Sequence, residues 1–101
     1  MPEMTFTVRW PDGRVDDCYS PSLVMWDHLE VGAEYAVSDF AEKASAALTE
    51  AGERVRARYG FLCTSALAQA EEIRRRAATL DPRSVIRVLA MAPPLPAEAG
   101  A

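Results

Sequence analysis

The sequence predicts an α+β fold, in which two helices pack on one face of a small antiparallel or mixed sheet. Three observations lead to this class: an alternating N-terminal stretch with a central turn, two helical periodicities in the middle, and a short apolar run near the C-terminus. Residues 1–92 are expected to form one domain, and residues 93–101 a proline-rich tail.

The chain begins with a predicted β-hairpin. Apolar residues alternate with polar ones over the first strand, at Met4, Phe6, Val8 and Trp10. Pro11-Asp12-Gly13 supplies the turn before a second strand at about residues 14–19. Asp16 and Asp17 in that strand favour an edge position, where charge discourages pairing with other chains.

Residues 23–31 leave two interpretations open. Leu23, Trp26 and Leu29 fit a period of three, which allows a short helical turn, but the segment is equally compatible with an extended chain. Gly32 ends this segment, and a short strand is expected over residues 34–37.

One long amphipathic helix is predicted over residues 38–60. Its apolar face recurs at helical spacing, at Phe40, Ala44, Ala47, Leu48, Ala51 and Val55. Ser38 or Asp39 is the expected N-cap, and Gly60 is expected to close the last turn in a left-handed conformation.

A second helix follows, with Thr64 or Ser65 as its expected cap. Residues 61–63 are expected to be buried in the turn between the helices. The buried stripe of this helix consists mainly of small residues, Ala66, Ala70, Ile73, Ala77 and Leu80. Arginines 74–76 are predicted on its outer side. Asp81-Pro82 ends the helix, and residues 85–91 read as a central strand.

Charge and composition exclude several functions. The formal net charge of −4 and the pI of about 4.9 argue against binding to nucleic acid or to an anionic membrane surface. No leader or bilayer-spanning run is present, so a cytoplasmic location is expected. The formal net charge is −8 for residues 1–53 and +4 for residues 54–101. This asymmetry can steer a partner or a second copy, or the two halves can simply neutralise each other.

Candidate chemistry is concentrated in one region. Potential ligands and acid–base groups on both sides of Ser20-Pro21 are Asp16, Asp17, Cys18, Asp27, His28 and Glu30. Cys18 and His28 are candidate catalytic residues, and Asp27, His28 and Glu30 are candidate metal ligands. The alternatives are a solvated histidine and an inert thiol. No cofactor signature is present, and no cofactor is expected.

The two cysteines form no recognisable framework. Cys18 and Cys63 lie 45 positions apart without a CxxC pair, so neither a disulfide scaffold nor a zinc knuckle is indicated. Cys63 precedes a helix start, which would activate a thiol, but its apolar neighbours favour burial.

Two features suggest an interaction surface. Trp26 would mark an interface if it proves exposed. Pro93, Pro94, Leu95 and Pro96 favour a polyproline II conformation, which suits a docking arm. The alternative is an ordinary tail laid over the surface of its own domain.

The most specific sequence pieces are Arg9-Trp-Pro-Asp-Gly13 and Cys18-Tyr-Ser-Pro-Ser22, and a closing Pro-Pro-Leu-Pro accompanies them. With these pieces the chain resembles a small bacterial family of nitrogen starvation response proteins. Members are typically encoded in nitrilase-containing gene clusters beside a radical SAM protein, an N-acetyltransferase-like protein and a flavin-dependent oxidoreductase. The resemblance implies a role in nitrogen assimilation and carries over no catalytic residue.

Three hypotheses follow. The first is a non-enzymatic interaction protein that associates with itself or with a pathway enzyme from the same gene cluster. The second is a small enzyme or ligand-binding protein that acts on a pathway intermediate, such as a nitrile, through Cys18, His28 and the nearby carboxylates. The third, a regulator that binds nucleic acid, is ranked last because of the acidic charge.

Overall fold

Two helices pack on a four-stranded sheet in the computed structural model, which describes residues 3–61 and 63–93. The elements are β1 (Met4–Arg9), β2 (Val15–Ser20), a 3₁₀ helix (Leu23–Asp27), β3 (Glu34–Ala36), α1 (Val37–Tyr59), α2 (Thr64–Ala77) and β4 (Val85–Ala92). The strand order is β2-β1-β4-β3, and every neighbouring pair is antiparallel. The predicted α+β class is therefore confirmed.

The core lies between the sheet and the helices. Phe6 and Val8 of β1 and Ile86 of β4 are fully buried, as is Phe40 of α1. The Trp10 ring meets the Phe40 ring edge-on, with centroids 5.8 Å apart. Alternate strand residues face away from the helices and are mostly polar or small, which is the usual pattern of a sheet that is solvated on one side.

The hairpin follows the prediction. Gly13 has a φ of 91°, and its N–H donates to the Trp10 carbonyl over 2.9 Å. The Asp12 carboxylate accepts the Arg14 N–H at 3.0 Å, which fixes the turn. β2 lies at one edge of the sheet, as its two aspartates indicated.

Residues 23–31 begin with a 3₁₀ helix, so the helical alternative is correct for Leu23–Asp27. The Ser22 side chain accepts a hydrogen bond from the Val24 N–H and so caps the N-terminus of this 3₁₀ helix. The chain then runs beside β4, because the Gly32 N–H donates to the Val88 carbonyl over 2.8 Å.

The predicted N-cap of α1 is wrong. The N-cap is Ala36, and its side chain makes no capping bond. The Val37 and Ser38 N–H groups donate to the carbonyls of Ser84 and Pro82, at 2.8 and 3.1 Å. Backbone oxygens of the loop before β4 therefore occupy the place that a side-chain cap would take.

The C-terminal end of α1 is as predicted, since Gly60 is left-handed with a φ of 83°. Two expectations for the following turn are wrong. The N-cap of α2 is Cys63, with no side-chain cap from Thr64 or Ser65. Phe61 is 61% exposed, because the reversal at Gly60 places it beside Tyr59 and outside the contact between the helices. Leu62 lies outside the described residues.

The buried stripe of α2 is confirmed at Ala66, Ala70 and Ile73. Ala77 and Leu80 are only half-buried, and the helix ends at Ala77, before the predicted stop at Asp81-Pro82. Within the described ranges, no helix is both long enough and apolar enough to cross a bilayer.

Candidate functional site

A groove forms where α2 lies against the edge strand β2. It contains a partly open cavity of about 180 Å³. We call it the β2–α2 groove, and the residues that line it are Trp10, Asp16, Asp17, Cys18, Gln69, Glu72, Ile73 and Arg76.

Gln69 joins the helix to the strand. The N–H of Tyr19 points away from β1, and it donates to Gln69 Oε1 over 3.0 Å. An edge amide that would otherwise be free to pair with another chain is thereby satisfied within the protein.

Asp16 is the centre of a polar cluster in this groove. The Trp10 indole N–H donates to Asp16 Oδ2 over 2.9 Å, and Arg76 Nε lies 3.2 Å from the same oxygen. The Arg76 N–H is not directed well enough at Asp16 to form a hydrogen bond, so their contact is mainly electrostatic. The guanidinium also lies 5.7 Å from the centroid of the Trp10 ring.

The inward position of Arg76 corrects the sequence prediction. Arg74 and Arg75 are exposed, as expected, whereas the Arg76 side chain is only 21% exposed. Residue 76 follows the buried Ile73 by three positions, which brings it to the same side of the helix, toward β2.

The Cys18 thiol is buried in the same groove. Burial raises the pKa of Cys18 to about 12, and the negative charges of Asp16 and Asp17 add to this effect while Arg76 opposes it. The thiol is therefore protonated at neutral pH, and the thiolate, which is the nucleophilic form, is scarce.

His28 lies elsewhere. Its Nε2 is 3.0 Å from Oε1 of Glu50 on α1, and Arg54 Nη2 donates to the other Glu50 oxygen over 3.1 Å. The hydrogen bond from His28 is the main cause that lowers the pKa of Glu50, and Arg54 contributes further.

A second cavity of about 250 Å³ surrounds His28. We call it the Trp26 cavity, and it is lined by Trp26, Asp27, His28, Leu29, Glu30 and Tyr35. The structure thus brings the predicted metal candidates Asp27, His28 and Glu30 to one cavity. Among residues 3–61 and 63–93, however, no three His, Cys, Asp or Glu side chains are grouped closely enough to hold a metal ion.

The structure does not bring Cys18 and His28 together. Cys18 belongs to β2 and lines the β2–α2 groove, whereas His28 shares its cavity with Tyr35 of β3. β2 and β3 are the opposite edges of the sheet. Three strand spacings place these edges roughly 14 Å apart.

Trp26 is half-buried, and Met25 beside it is fully buried. The Trp26 indole N–H donates to the Pro93 carbonyl over 3.1 Å. The other predicted interaction residues, Pro94, Leu95 and Pro96, lie outside the described residues.

An exposed aromatic pair at the end of α1 is a feature that the sequence analysis does not predict. Tyr59 and Phe61 are 52% and 61% exposed, with ring centroids 6.1 Å apart. The Arg58 guanidinium lies 5.8 Å from the centroid of the Tyr59 ring, and Arg56 is exposed in the same helical turn. We call these four residues the aromatic corner. The arginines that precede Tyr59 in the sequence are the one feature that could have indicated an exposed helix end here.

The fold and these sites define a small two-layer α+β protein whose polar groups gather at the two edges of its sheet. The chain belongs to the family described as nitrogen starvation-induced protein NitG, whose family model matches residues 5–91. The match spans nearly the whole sheet and both helices, and it confirms the resemblance to a nitrogen starvation response family. No curated protein and no solved structure matches the chain.

Proposed function

We propose that this protein is a non-enzymatic accessory protein of nitrogen assimilation, which acts in the cytoplasm by docking on an enzyme encoded in the same nitrilase-containing gene cluster. The aromatic corner is the observation that carries this proposal. Tyr59 and Phe61 leave more than half of each side chain in water. Adjacent exposed aromatic groups of this kind often mark protein interfaces.

The charge around the corner indicates the chemistry of the partner. Arg56 and Arg58 occupy the last turn of α1, and the Arg58 guanidinium lies over the Tyr59 ring. A partner surface with an apolar centre and acidic residues around it complements this arrangement. Such a complex weakens as salt screens the charges at its rim.

Light scattering coupled to size exclusion tests the proposal. The protein is mixed in turn with the purified nitrilase, radical SAM protein, N-acetyltransferase-like protein and flavin-dependent oxidoreductase of the cluster, at two salt concentrations. One of the four is expected to form a complex, and higher salt is expected to weaken it.

Matched variants locate the docking surface. Tyr59→Ser combined with Phe61→Ser is expected to weaken the complex by about tenfold or more, as loss of a hot spot does. Val31→Ser, at a similarly exposed apolar residue away from the corner, is the control and should bind normally. The proposal fails if none of the four enzymes binds, or if the double variant binds undiminished. A dimer of the protein alone that dissociates in the double variant would make a second copy the partner.

The β2–α2 groove supports a second candidate, a small ligand-binding protein that takes up a pathway intermediate. The supporting observation is the convergence of Trp10, Asp16 and Arg76 in one partly open cavity that Cys18 also lines. His28 is not part of this cavity, so the candidate differs from a pair of Cys18 and His28.

Thermal denaturation with a panel of small nitriles and amides tests the second candidate. A ligand of the groove stabilises the wild type by RT ln(1 + [L]/Kd), so its melting temperature rises with ligand concentration. Asp16→Asn should abolish this shift, whereas Glu50→Gln, which does not line the groove, should keep it. A shift that survives Asp16→Asn would exclude the groove.

A further inference from the structure

Two carboxylates of the β2–α2 groove each keep an oxygen for a further hydrogen bond. Asp16 uses one oxygen, Oδ2, for both the Trp10 indole N–H and the contact with Arg76. Its other oxygen, Oδ1, makes no hydrogen bond within the described part of the chain. Glu72 accepts from Arg75 at Oε1, and its Oε2 lies 3.7 Å from Arg76 Nη2, which is too far for a hydrogen bond.

The same groove also contains donors. Gln69 accepts the Tyr19 N–H through Oε1, and this contact does not use the side-chain NH₂ group. The Arg76 guanidinium meets its two carboxylate neighbours as ion pairs without a well-directed hydrogen bond. Donors and acceptors therefore line the same cavity.

The charges in the groove are largely paired. Asp16 faces Arg76, and Glu72 contacts both Arg76 and the arginine before it. Asp17, the third carboxylate of the lining, accepts a hydrogen bond from a threonine hydroxyl of β1. An anionic ligand would meet these carboxylates, and a cationic ligand would meet the guanidinium. The lining therefore favours a neutral ligand that both donates and accepts.

We propose that the β2–α2 groove binds a small neutral molecule through a primary carboxamide group. The carbonyl oxygen of the ligand accepts from Arg76 or from the Gln69 NH₂ group. Its two N–H groups donate to the open oxygens of Asp16 and Glu72, and such bonds to a carboxylate are stronger than bonds between neutral groups. The inference rests on the second candidate function, because it names the ligand class of the same groove.

The remainder of the cavity suits a short apolar chain. Trp10, Cys18 and Ile73 line it, and each is at most 3% exposed. The volume is about 180 Å³, and a cavity of about 150 Å³ already holds a molecule of the size of benzene. Butyramide, which has a propyl chain and a carboxamide, is therefore a suitable probe.

Three molecules of similar size differ from butyramide only in the head group. Butyrate has acceptors only, and it adds a negative charge beside Asp16 and Glu72. Butyramidine has donors only, and it places a positive charge beside Arg76. Butyronitrile has a single acceptor, so both carboxylate oxygens would lose water without gaining a donor. Each should bind at least about tenfold more weakly than butyramide, since each leaves a charged group without its hydrogen bond.

Titrations followed by ¹⁵N NMR test the proposal on the full chain. Gln69 is the only glutamine and the chain has no asparagine, so the side-chain NH₂ signals belong to the groove. The two tryptophans give two indole signals, and the Trp26→Phe spectrum assigns them. Butyramide should shift the Gln69 and Trp10 signals saturably and leave the Trp26 signal in place.

Two neighbouring glutamates provide matched variants. Glu71 and Glu72 are both more than half exposed, and each pairs with the arginine three positions further on. Of the two, only Glu72 lines the groove. Glu72→Gln, followed at the Trp10 signal, should weaken butyramide binding by about tenfold and strengthen butyrate binding, because a negative charge is removed. Glu71→Gln should change neither affinity.

The outcomes separate this inference from the second candidate function. Binding of butyrate, butyramidine or butyronitrile that equals or exceeds that of butyramide would overturn the carboxamide assignment and leave the groove a ligand site. Equal butyramide affinities in Glu72→Gln and Glu71→Gln would also overturn it. If none of the four molecules shifts the Trp10 or Gln69 signals, the inference and the second candidate fail together.

Discussion

The two tryptophans make similar hydrogen bonds in contrasting surroundings. Trp10 is 2% exposed and donates to the Asp16 carboxylate, beside the Arg76 guanidinium. Trp26 is half-buried and donates to the neutral carbonyl of Pro93. The first bond is part-buried in the β2–α2 groove, at the edge of the core, whereas the second is exposed to water. Burial and charge, rather than donor distance, therefore decide whether an indole stabilises the fold or serves as a surface contact.

Of the changes considered, removing each tryptophan ring should give the largest difference in the free energy of unfolding. Trp10→Ala should lower the free energy of unfolding by about 3–5 kcal/mol, because it empties a core position in contact with Phe40. Trp26→Ala should cost well under half as much, because that ring is partly in water already. Urea denaturation of both variants measures the difference. Equal losses would show that the two rings are equally structural.

The stability of the protein at high pH tests the buried Cys18 thiol, which lies in the same groove as Trp10. The pKa of Cys18 is about 12 in the folded protein, against an ordinary value of 9.0. Between these values the unfolded chain loses the thiol proton and the folded chain keeps it, so stability falls as pH rises. The slope is at most about 1.4 kcal/mol per pH unit.

Urea denaturation from pH 8 to 11, in a Cys63→Ser background, measures this slope. Cys18→Ala in the same background is the control, and it should flatten the curve by the contribution of the Cys18 thiol. Equal slopes with and without Cys18 would contradict the raised pKa.

The carboxylates beside the two rings give the next contrast. Asp16→Ala should cost about 1–3 kcal/mol, since it leaves the Trp10 N–H without its acceptor and the largely buried Arg76 without the carboxylate charge beside it. A double-mutant cycle with Arg76→Ala should give a coupling of about 0.5 kcal/mol or more. Glu50→Ala removes the corresponding carboxylate beside the Trp26 cavity. It should lower the free energy of unfolding by less, because the ion pairs of Glu50 are exposed to solvent. Additive effects of Asp16→Ala and Arg76→Ala would contradict the coupling.

The smallest expected effect is the loss of stability at acidic pH that follows protonation of Glu50, the partner of His28 in the Trp26 cavity. The pKa of Glu50 is lowered from its ordinary 4.5, first by the hydrogen bond from His28. The stabilisation it provides is complete above that ordinary value and is lost as pH falls through the lowered pKa. NMR titration of the Glu50 carboxyl should give a higher midpoint in His28→Ala than in the wild type. Ser45→Ala, on the same helix, is a suitable control. Equal midpoints would show that His28 does not act on Glu50 in solution.

Several elements could be predicted from the sequence because their causes are local. The alternation from Met4 to Trp10 predicts β1, and the positive φ of Gly13 and Gly60 places a turn and a helix end. The apolar spacing of α1 fixes its buried face, because a regular helix repeats every 3.6 residues.

The candidate sites were less predictable, because they combine residues that are distant in sequence. Cys18 and His28 are ten positions apart in the chain, but Cys18 lies in the edge strand β2 and His28 lines a cavity beside Tyr35 of the opposite edge strand β3. The contact between Trp26 and Pro93 likewise joins residues 67 positions apart. Single-sequence periodicity carries no information on such pairings.

The sequence by itself determined the α+β class, the order of the elements, the buried stripes and the turn glycines, since these depend on the preferences of neighbouring residues. Tertiary structure alone decided that loop carbonyls cap α1, that Arg76 turns inward to Asp16, and that Phe61 stays in water. The physical reason is that a cap, an ion pair or burial depends on which groups the rest of the chain places nearby.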